Sequence, residues 1–156
     1  MNIVFKIIRK YRKEGPWRGG GVLFYRRRPD GKLTILLFRR TRGPGKGRFS
    51  IPGGQVKSQQ VERLEDAAIR ELWEETTYKL DSKDIRKTFD TNCHVYHWRT
   101  LMVEFRGDLS AFNLRGARDK ELSEIVEVTL EEARRLPLTD SMWWTLGRLI
   151  LMEIPK

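Results

Sequence analysis

The segment Arg70-Glu71-Leu72-Trp73-Glu74-Glu75 constrains this chain more than any other stretch. On a helix advancing about 100° per residue, Glu71, Glu74 and Glu75 fall at i, i+3 and i+4 and share one narrow face. Ile69, Leu72, Trp73 and Thr76 fall on the other side. The helix can therefore bury that side and leave the acids facing a cleft, with Ala67 one turn earlier keeping the acidic face sterically open. Like charges at this spacing repel by about a few tenths of a kcal/mol per pair in an isolated helix, which a solvated surface tolerates. One account of the triplet is thus a merely solvated face. The other is a cluster of hard oxygen ligands for Mg²⁺ or Mn²⁺, where the cation cancels the repulsion and offers open positions to phosphate oxygens.

The surroundings of this helix, which periodicity places at roughly Val61 to Thr76, alternate between strand-like stretches and turns. β-favouring residues from Gly20 to Arg27 and from Leu33 to Arg40 flank Arg28-Pro29-Asp30-Gly31-Lys32, a sequence suited to a hairpin turn. The glycine-rich, basic connection Thr41 to Gly47 invites comparison with a phosphate loop. That loop requires Gly-Lys-Ser/Thr opening a helix, whereas Gly47 is followed by Arg48-Phe49-Ser50-Ile51, a short strand. Further strands are expected at about Thr88 to His97, Arg99 to Arg106 and Glu124 to Thr129. Thr129 with Glu132 has the spacing of a capping box over Leu130 to Arg135, and Ser141 to Met152 reads as a closing helix. Residues 3 to 11 place Ile3, Val4, Ile7, Ile8 and Tyr11 at helical spacing among basic residues, which suits a short amphipathic helix or an edge strand that caps the domain.

At 156 residues the chain suits one domain, 1–156, with residues 1–15 as a basic N-terminal arm. No apolar run approaches the roughly 18 residues of a membrane helix. The N-terminus lacks the long apolar stretch and small-residue cleavage site of a signal peptide, and the lone Cys93 forms no internal disulfide. A cytoplasmic setting follows as the expectation. The net charge is +10, and residues 1–50 carry 15 basic and 2 acidic residues. Such a cationic front attracts phosphorylated small molecules, nucleic acid or acidic membrane alike.

The helix segment is preceded by Ile51-Pro52-Gly53-Gly54 and by Glu62, eight residues before Arg70. Here the sequence resembles the Nudix hydrolase family, whose box is G-x5-E-x7-R-E-U-x-E-E-x-G-U with U a bulky apolar residue. Gly54, Glu62, Arg70, Glu71, Leu72, Glu74 and Glu75 match in order. The resemblance implies an α/β fold of the α+β type, a Nudix α/β/α sandwich with a mixed sheet and a carboxylate-bearing helix. Two departures stand out. Seven residues, Gln55 to Val61, separate Gly54 from Glu62 where the pattern has five. Thr77 replaces the usual glycine after the helix, and because a β-branched residue enters a left-handed turn poorly, the helix end is expected to differ in geometry.

The resemblance further implies attack of water on a phosphorus of a nucleoside diphosphate linked to another group. Carried over by position, Glu71, Glu74 and Glu75 are metal ligands for Mg²⁺ or Mn²⁺, one of them serving as base. Arg70 orients the cluster, and the Gly54 carbonyl is a further metal contact. Glu62 either supports the metal through water or only favours the start of the helix. Family members often recruit a late acid, for which Glu121 and Glu124 are the candidates. Arg39, Arg40, Arg42, Lys46 and Arg48 are candidates for holding substrate phosphates, with Arg39 and Arg48 preferred. Phe49, Tyr96, Trp98, Trp143 and Trp144 each offer a ring to a base, although such residues more often pack in the core. Tyr96 stands eighteen residues beyond the box, a separation reminiscent of dinucleoside polyphosphate hydrolases in the family. The proline of ADP-ribose-cleaving members is absent between Tyr78 and Trp98. His94 and His97 are read as structural.

Three functional readings result. The leading one is a MutT-like pyrophosphohydrolase acting on a nucleoside triphosphate or dinucleoside polyphosphate. The second is a catalytically weak module that binds a nucleotide. The third takes the basic front literally as RNA binding, with hydrolysis at a triphosphate or capped end. The sequence is compatible with a monomer and with a homodimer.

Overall fold

A computed structural model describes residues 15–57 and 61–152; the basic segment 1–14 lies outside them. Strands β1 (Trp17–Arg27), β2 (Leu33–Arg40), β3 (Phe49–Ser50) and β4 (Gly53–Gln55) precede helix α1 (Leu64–Thr76). There follow β5 (Ile85–Cys93), β6 (Tyr96–Glu104), β7 (Leu122–Thr129), the one-turn α2 (Leu130–Ala133) and α3 (Asp140–Leu151). Seven strands make a mixed sheet in which β1 and β6 run parallel and the other pairs antiparallel.

Local signals explain the hairpin and the caps. Gly31, at φ +81°, supplies the left-handed residue of the β1–β2 turn, and Asp30 Oδ1 accepts from the Lys32 amide at 3.0 Å. Thr129 and Glu132 form the reciprocal capping box at the start of α2.

Alternation along the strands divides the core in two. Val22, Phe24, Leu36, Phe38, Leu101 and Val103 bury one face of the sheet against Ala68 and Leu72 of α1. Leu23, Tyr25, Ile35, Leu37 and Met102 bury the other against Met142, Leu146 and Leu149 of α3. The close seat of α1 depends on Gly20, where a Cβ would overlap the Leu64 carbonyl and stand 3.0 Å from the Ala68 Cβ.

Several expectations need correction. Helix α1 starts at Leu64, three residues later than the periodicity suggests, and Val61 is fully exposed. The β5–β6 turn falls at His94 and Val95, so Tyr96 opens β6 instead of ending β5. The run Val95 to Trp98 is strand-forming throughout and carries no turn residue that marks the break. Thr77 takes the left-handed conformation (φ 60°, ψ 3°) that its β-branched side chain disfavours, and its amide caps the Trp73 carbonyl at 2.8 Å. The helix end therefore keeps the glycine-like geometry at a conformational cost. Thr77→Gly is expected to raise stability by about 1 kcal/mol, read from urea unfolding; a loss of stability would show that the threonine relieves its own strain elsewhere.

Candidate active site

Helix α1 sets the register of the acids, and tertiary packing decides which of them meets water. The acidic face does not point wholly outward. Glu75 and Glu74 are 2% and 7% exposed, whereas Trp73, expected to be buried, is 45% exposed. The helix is rotated so that Ala67, Ala68, Leu72 and Thr76 are buried, Ala68 and Leu72 against the sheet, and Glu75 is buried with them. The Glu75 carboxylate accepts a hydrogen bond from the Gly53 amide at 2.9 Å. Burial pushes its carboxyl up to about 9, the Gly53 hydrogen bond offsetting only part of the desolvation. Burial also raises the carboxyl of Glu71, against the pull of Arg70.

Arg70 organises the rest. Its guanidinium forms a bidentate pair with Glu62, Nε to Oε1 at 2.8 Å and Nη2 to Oε2 at 3.0 Å. Nη1 donates to Glu71 and reaches Glu74 at 3.4 Å, and Nη2 also donates to the Gln55 carbonyl at 3.0 Å. Glu62 in turn accepts from the Lys57 amide at 3.0 Å, so the guanidinium ties the β4 exit to the carboxylates. These hydrogen bonds hold Glu62 ionised, its carboxyl lowered first by Arg70. Glu62 precedes the first helical turn and acts as the clamp on Arg70.

A third acid arrives from a distant loop. The Asp119 amide donates to the Glu74 carbonyl at 2.9 Å, and the Asn113 amide donates to the Thr76 carbonyl at 2.8 Å. The loop thus caps carbonyls that the last turn of α1 leaves unpaired. Its far side is pinned to Thr41, whose amide donates to the Glu121 carbonyl at 2.8 Å and whose hydroxyl donates to the Lys120 carbonyl at 2.8 Å. Carboxylate oxygens of Glu71, Glu74 and Asp119 consequently lie within 4.8 Å of one another. Sequence reasoning missed Asp119, because nothing in its spacing separates it from a solvated loop acid.

The remaining candidates are dispersed. Glu124 stands opposite Arg39 on neighbouring strands and pairs with it at 3.0 Å, outside the Glu71, Glu74 and Asp119 group. Glu121 pairs with Arg42 at 3.1 Å and faces Arg40 at 3.9 Å. The Arg39 guanidinium also lies over the Phe49 ring, and Arg48 faces Asp140 at 3.5 Å. Lys46 is held in the glycine-rich connection through its amide, which donates to the Gly43 carbonyl at 3.1 Å. Tyr96 belongs to a group of three nearly parallel rings with Trp17 and Trp98, centroids 5.0 to 6.1 Å apart. Trp143 and Trp144 lie exposed on α3. Gly54 is wedged between the two layers: its carbonyl lies against Gly19, and a Cβ on it would overlap the Glu71 carboxylate.

The donor set is all hard oxygen, crowded and partly desolvated, with Arg70 and the exposed Arg118 as the adjoining cations. Such a set fits Mg²⁺ or Mn²⁺.

A family model for the NUDIX domain matches residues 17–147. The chain belongs to the Nudix family. As a Nudix hydrolase it is an enzyme of the pyrophosphatase type, and the mixed sheet with its few helices is the Nudix fold. Among solved structures, a Nudix hydrolase from M. smegmatis, RenU, superposes with a TM-score of 0.65 at 22% identity, covering 89% of each chain. A C. elegans Ap4A hydrolase gives 0.60 at 19% identity over 86% of this chain and 96% of its own. A bifunctional NMN adenylyltransferase/ADP ribose pyrophosphatase from Francisella tularensis gives 0.63 at 19% identity, over 94% of this chain and 45% of its own. No curated protein matches the sequence. No helix among the described residues of the Nudix chain is long and apolar enough to cross a membrane.

Proposed function

We propose that this Nudix hydrolase cleaves a nucleoside diphosphate linked to a further phosphorylated group, a nucleoside triphosphate or a dinucleoside polyphosphate, with Mg²⁺ or Mn²⁺ as cofactor. The observation that carries the reading is the convergence of Glu71, Glu74 and Asp119 beside Arg70. The first two come from one helix face and the third from a docked loop. Their shared purpose is a divalent cation, because three crowded carboxylates are otherwise costly.

Glu71, Glu74 and Asp119 would hold the ion, with Glu75 and the Gly54 carbonyl as the neighbouring oxygens. When bound, such an ion neutralises pyrophosphate charge and lowers the pKa of water. Arg70 fixes the Glu71 and Glu74 side chains so that the carboxylates keep their places as charge builds on the phosphorus. Of the glutamates, Glu71 has the raised carboxyl and incomplete burial suited to accepting a proton from water. The partly exposed Trp17 and Tyr96 rings, stacked with the buried Trp98, would offer the apolar surface for a base. The name of the C. elegans neighbour, an Ap4A hydrolase, agrees with a dinucleoside polyphosphate as one substrate class.

A panel of nucleoside triphosphates, dinucleoside polyphosphates, nucleotide sugars and 5′-triphosphorylated RNA, assayed with Mg²⁺, tests the reading. Turnover of one of the first two classes supports it, and turnover of RNA alone would move the function to RNA ends. Gly54→Ala places a methyl group against the Glu71 carboxylate, and about a tenfold loss of Mn²⁺ affinity is expected by titration. Unchanged affinity would remove Glu71 from the ligand set.

A further inference from the structure

Helix α3 is apolar on both sides. Met142, Leu146 and Leu149 enter the core, while Trp143, Trp144, Ile150 and Leu151 are 45%, 71%, 53% and 87% exposed. Four of the seven large apolar side chains exposed among the described residues thus share one helix face, at i, i+1, i+7 and i+8. Exposed apolar residues scattered singly need no explanation, but a contiguous patch marks a docking surface, and a helix apolar all round is suited to burial on both sides. The two charges of α3 leave the centre of this face clear. Arg148 folds back onto the sheet, its guanidinium over the Phe89 ring and donating to the Asp90 carbonyl at 3.4 Å. Asp140 stands at the start of the helix, facing Arg48 at 3.5 Å.

Gly147 lies at the middle of the patch. A Cβ there would meet nothing within 4 Å, and its φ is not positive. Neither packing nor backbone conformation within the chain therefore requires a glycine, which costs helix stability relative to alanine. A second backbone crossing closely at this point does require one. The flanking sequence shows which backbone fits. Trp143 precedes Gly147 by four residues and Leu151 follows it by four; Trp144 precedes it by three and Ile150 follows it by three. Two antiparallel copies of α3 crossing at Gly147 set each indole against an aliphatic side chain of the other, and every contact occurs twice, as a two-fold interface demands. At their exposures the two indoles alone supply on the order of 300 Å² of the roughly 800 Å² per copy that a stable interface buries.

We infer that the outward face of α3 is a two-fold interface that pairs this chain with a second copy, the helices crossing at Gly147. A lipid surface would accept the indoles but has no use for the glycine. Helix α1 packs on the opposite face of the sheet from α3, so the pairing lies away from the Glu71, Glu74 and Asp119 group and stands or falls independently of the hydrolytic reading.

Sedimentation equilibrium of the full chain at micromolar to sub-millimolar concentration is expected to show a dimer of twice 18.5 kDa, tightening as salt screens the +10 charge of each copy. Gly147→Leu puts a side chain into open space in the monomer and between the helices in the pair. It is expected to keep the native circular dichroism and raise the dimer dissociation constant about tenfold or more, as is Leu151→Glu. Cross-linking reads the register. In a Cys93→Ser background, mild oxidation of Gly147→Cys, on the two-fold axis, is expected to give a disulfide-linked dimer, whereas Leu151→Cys, two turns from its own copy, is not. A monomer at every concentration overturns the inference, whether phosphatidylglycerol vesicles bind the face or residues 1–14 cover it. A dimer unmoved by Gly147→Leu, or not cross-linked through Gly147→Cys, overturns it as well, because another surface then joins the copies.

Discussion

Glu74→Gln is expected to lower metal-dependent turnover by about a thousandfold, the scale on which a lost ligand removes charge stabilisation from a phosphoryl-transfer site. The substitution keeps the shape of the side chain. The Glu74 backbone carbonyl, which receives the Asp119 amide, is untouched, so the docked loop should stay in place. Circular dichroism and thermal unfolding in EDTA should therefore match the native protein, while kcat falls and the Mn²⁺ binding isotherm weakens. Retention of native turnover would remove Glu74 from the catalytic set and leave the Glu71, Glu74 and Asp119 cluster as an acidic surface. A large loss of stability in EDTA would point to a structural role, through the ion pairs of Glu74 with Arg70 and Arg118 at 3.4 and 3.3 Å.

The second large effect concerns Glu75 and pH. Its carboxyl is raised from an ordinary value of 4.5 to about 9 by burial, so the metal-free folded protein binds a proton that the unfolded chain has released. The associated stability is complete below pH 4.5 and is lost as pH rises through about 9. The slope approaches about 1.4 kcal/mol per pH unit at most, or roughly 3 to 6 °C of Tm per unit at this size. Glu62 and Asp90, whose carboxyls are lowered by Arg70 and Arg99, act in the opposite sense, and only in the acid range below their ordinary values. Between pH 6 and 8.5 in EDTA, native Tm should thus decline, and Glu75→Gln should flatten the decline and raise Tm at the alkaline end. Added Mg²⁺ should stabilise the native protein more at pH 8.5 than at pH 6, because ligand carboxylates must shed protons to bind. A native Tm independent of pH in EDTA would mean that Glu75 is ionised in the folded state.

These expectations separate features set by neighbours in sequence from features set by packing. The β1–β2 turn, the capping box at Thr129 and Glu132, and the common helix of Glu71, Glu74 and Glu75 were legible because each depends on residues a few positions apart. Backbone dihedrals and helical pitch alone relate them. The family pattern from Gly54 to Glu75 is of the same kind: a glycine for close approach, an arginine for the acids, and spacing that keeps both on one side of α1.

What the sequence could not show depends on distant chain segments meeting. Asp119 joins Glu71 and Glu74 because the 113–121 loop gives its amides to the end of α1 and its carbonyls to Thr41. Glu124 stands instead opposite Arg39 because β7 pairs with β2 in that register. The burial of Glu75 and the exposure of Trp73 are a rotation of α1, and the bulk of Ala68 and Leu72 against β1 selects it. Thr77 keeps a left-handed turn because the cap on Trp73 and the docked loop over-determine it. Local sequence determined which groups share an element, since that needs only bond geometry. The tertiary structure decided which groups share a site and which lose water, since both depend on surfaces that exist only after the sheet and helices have packed.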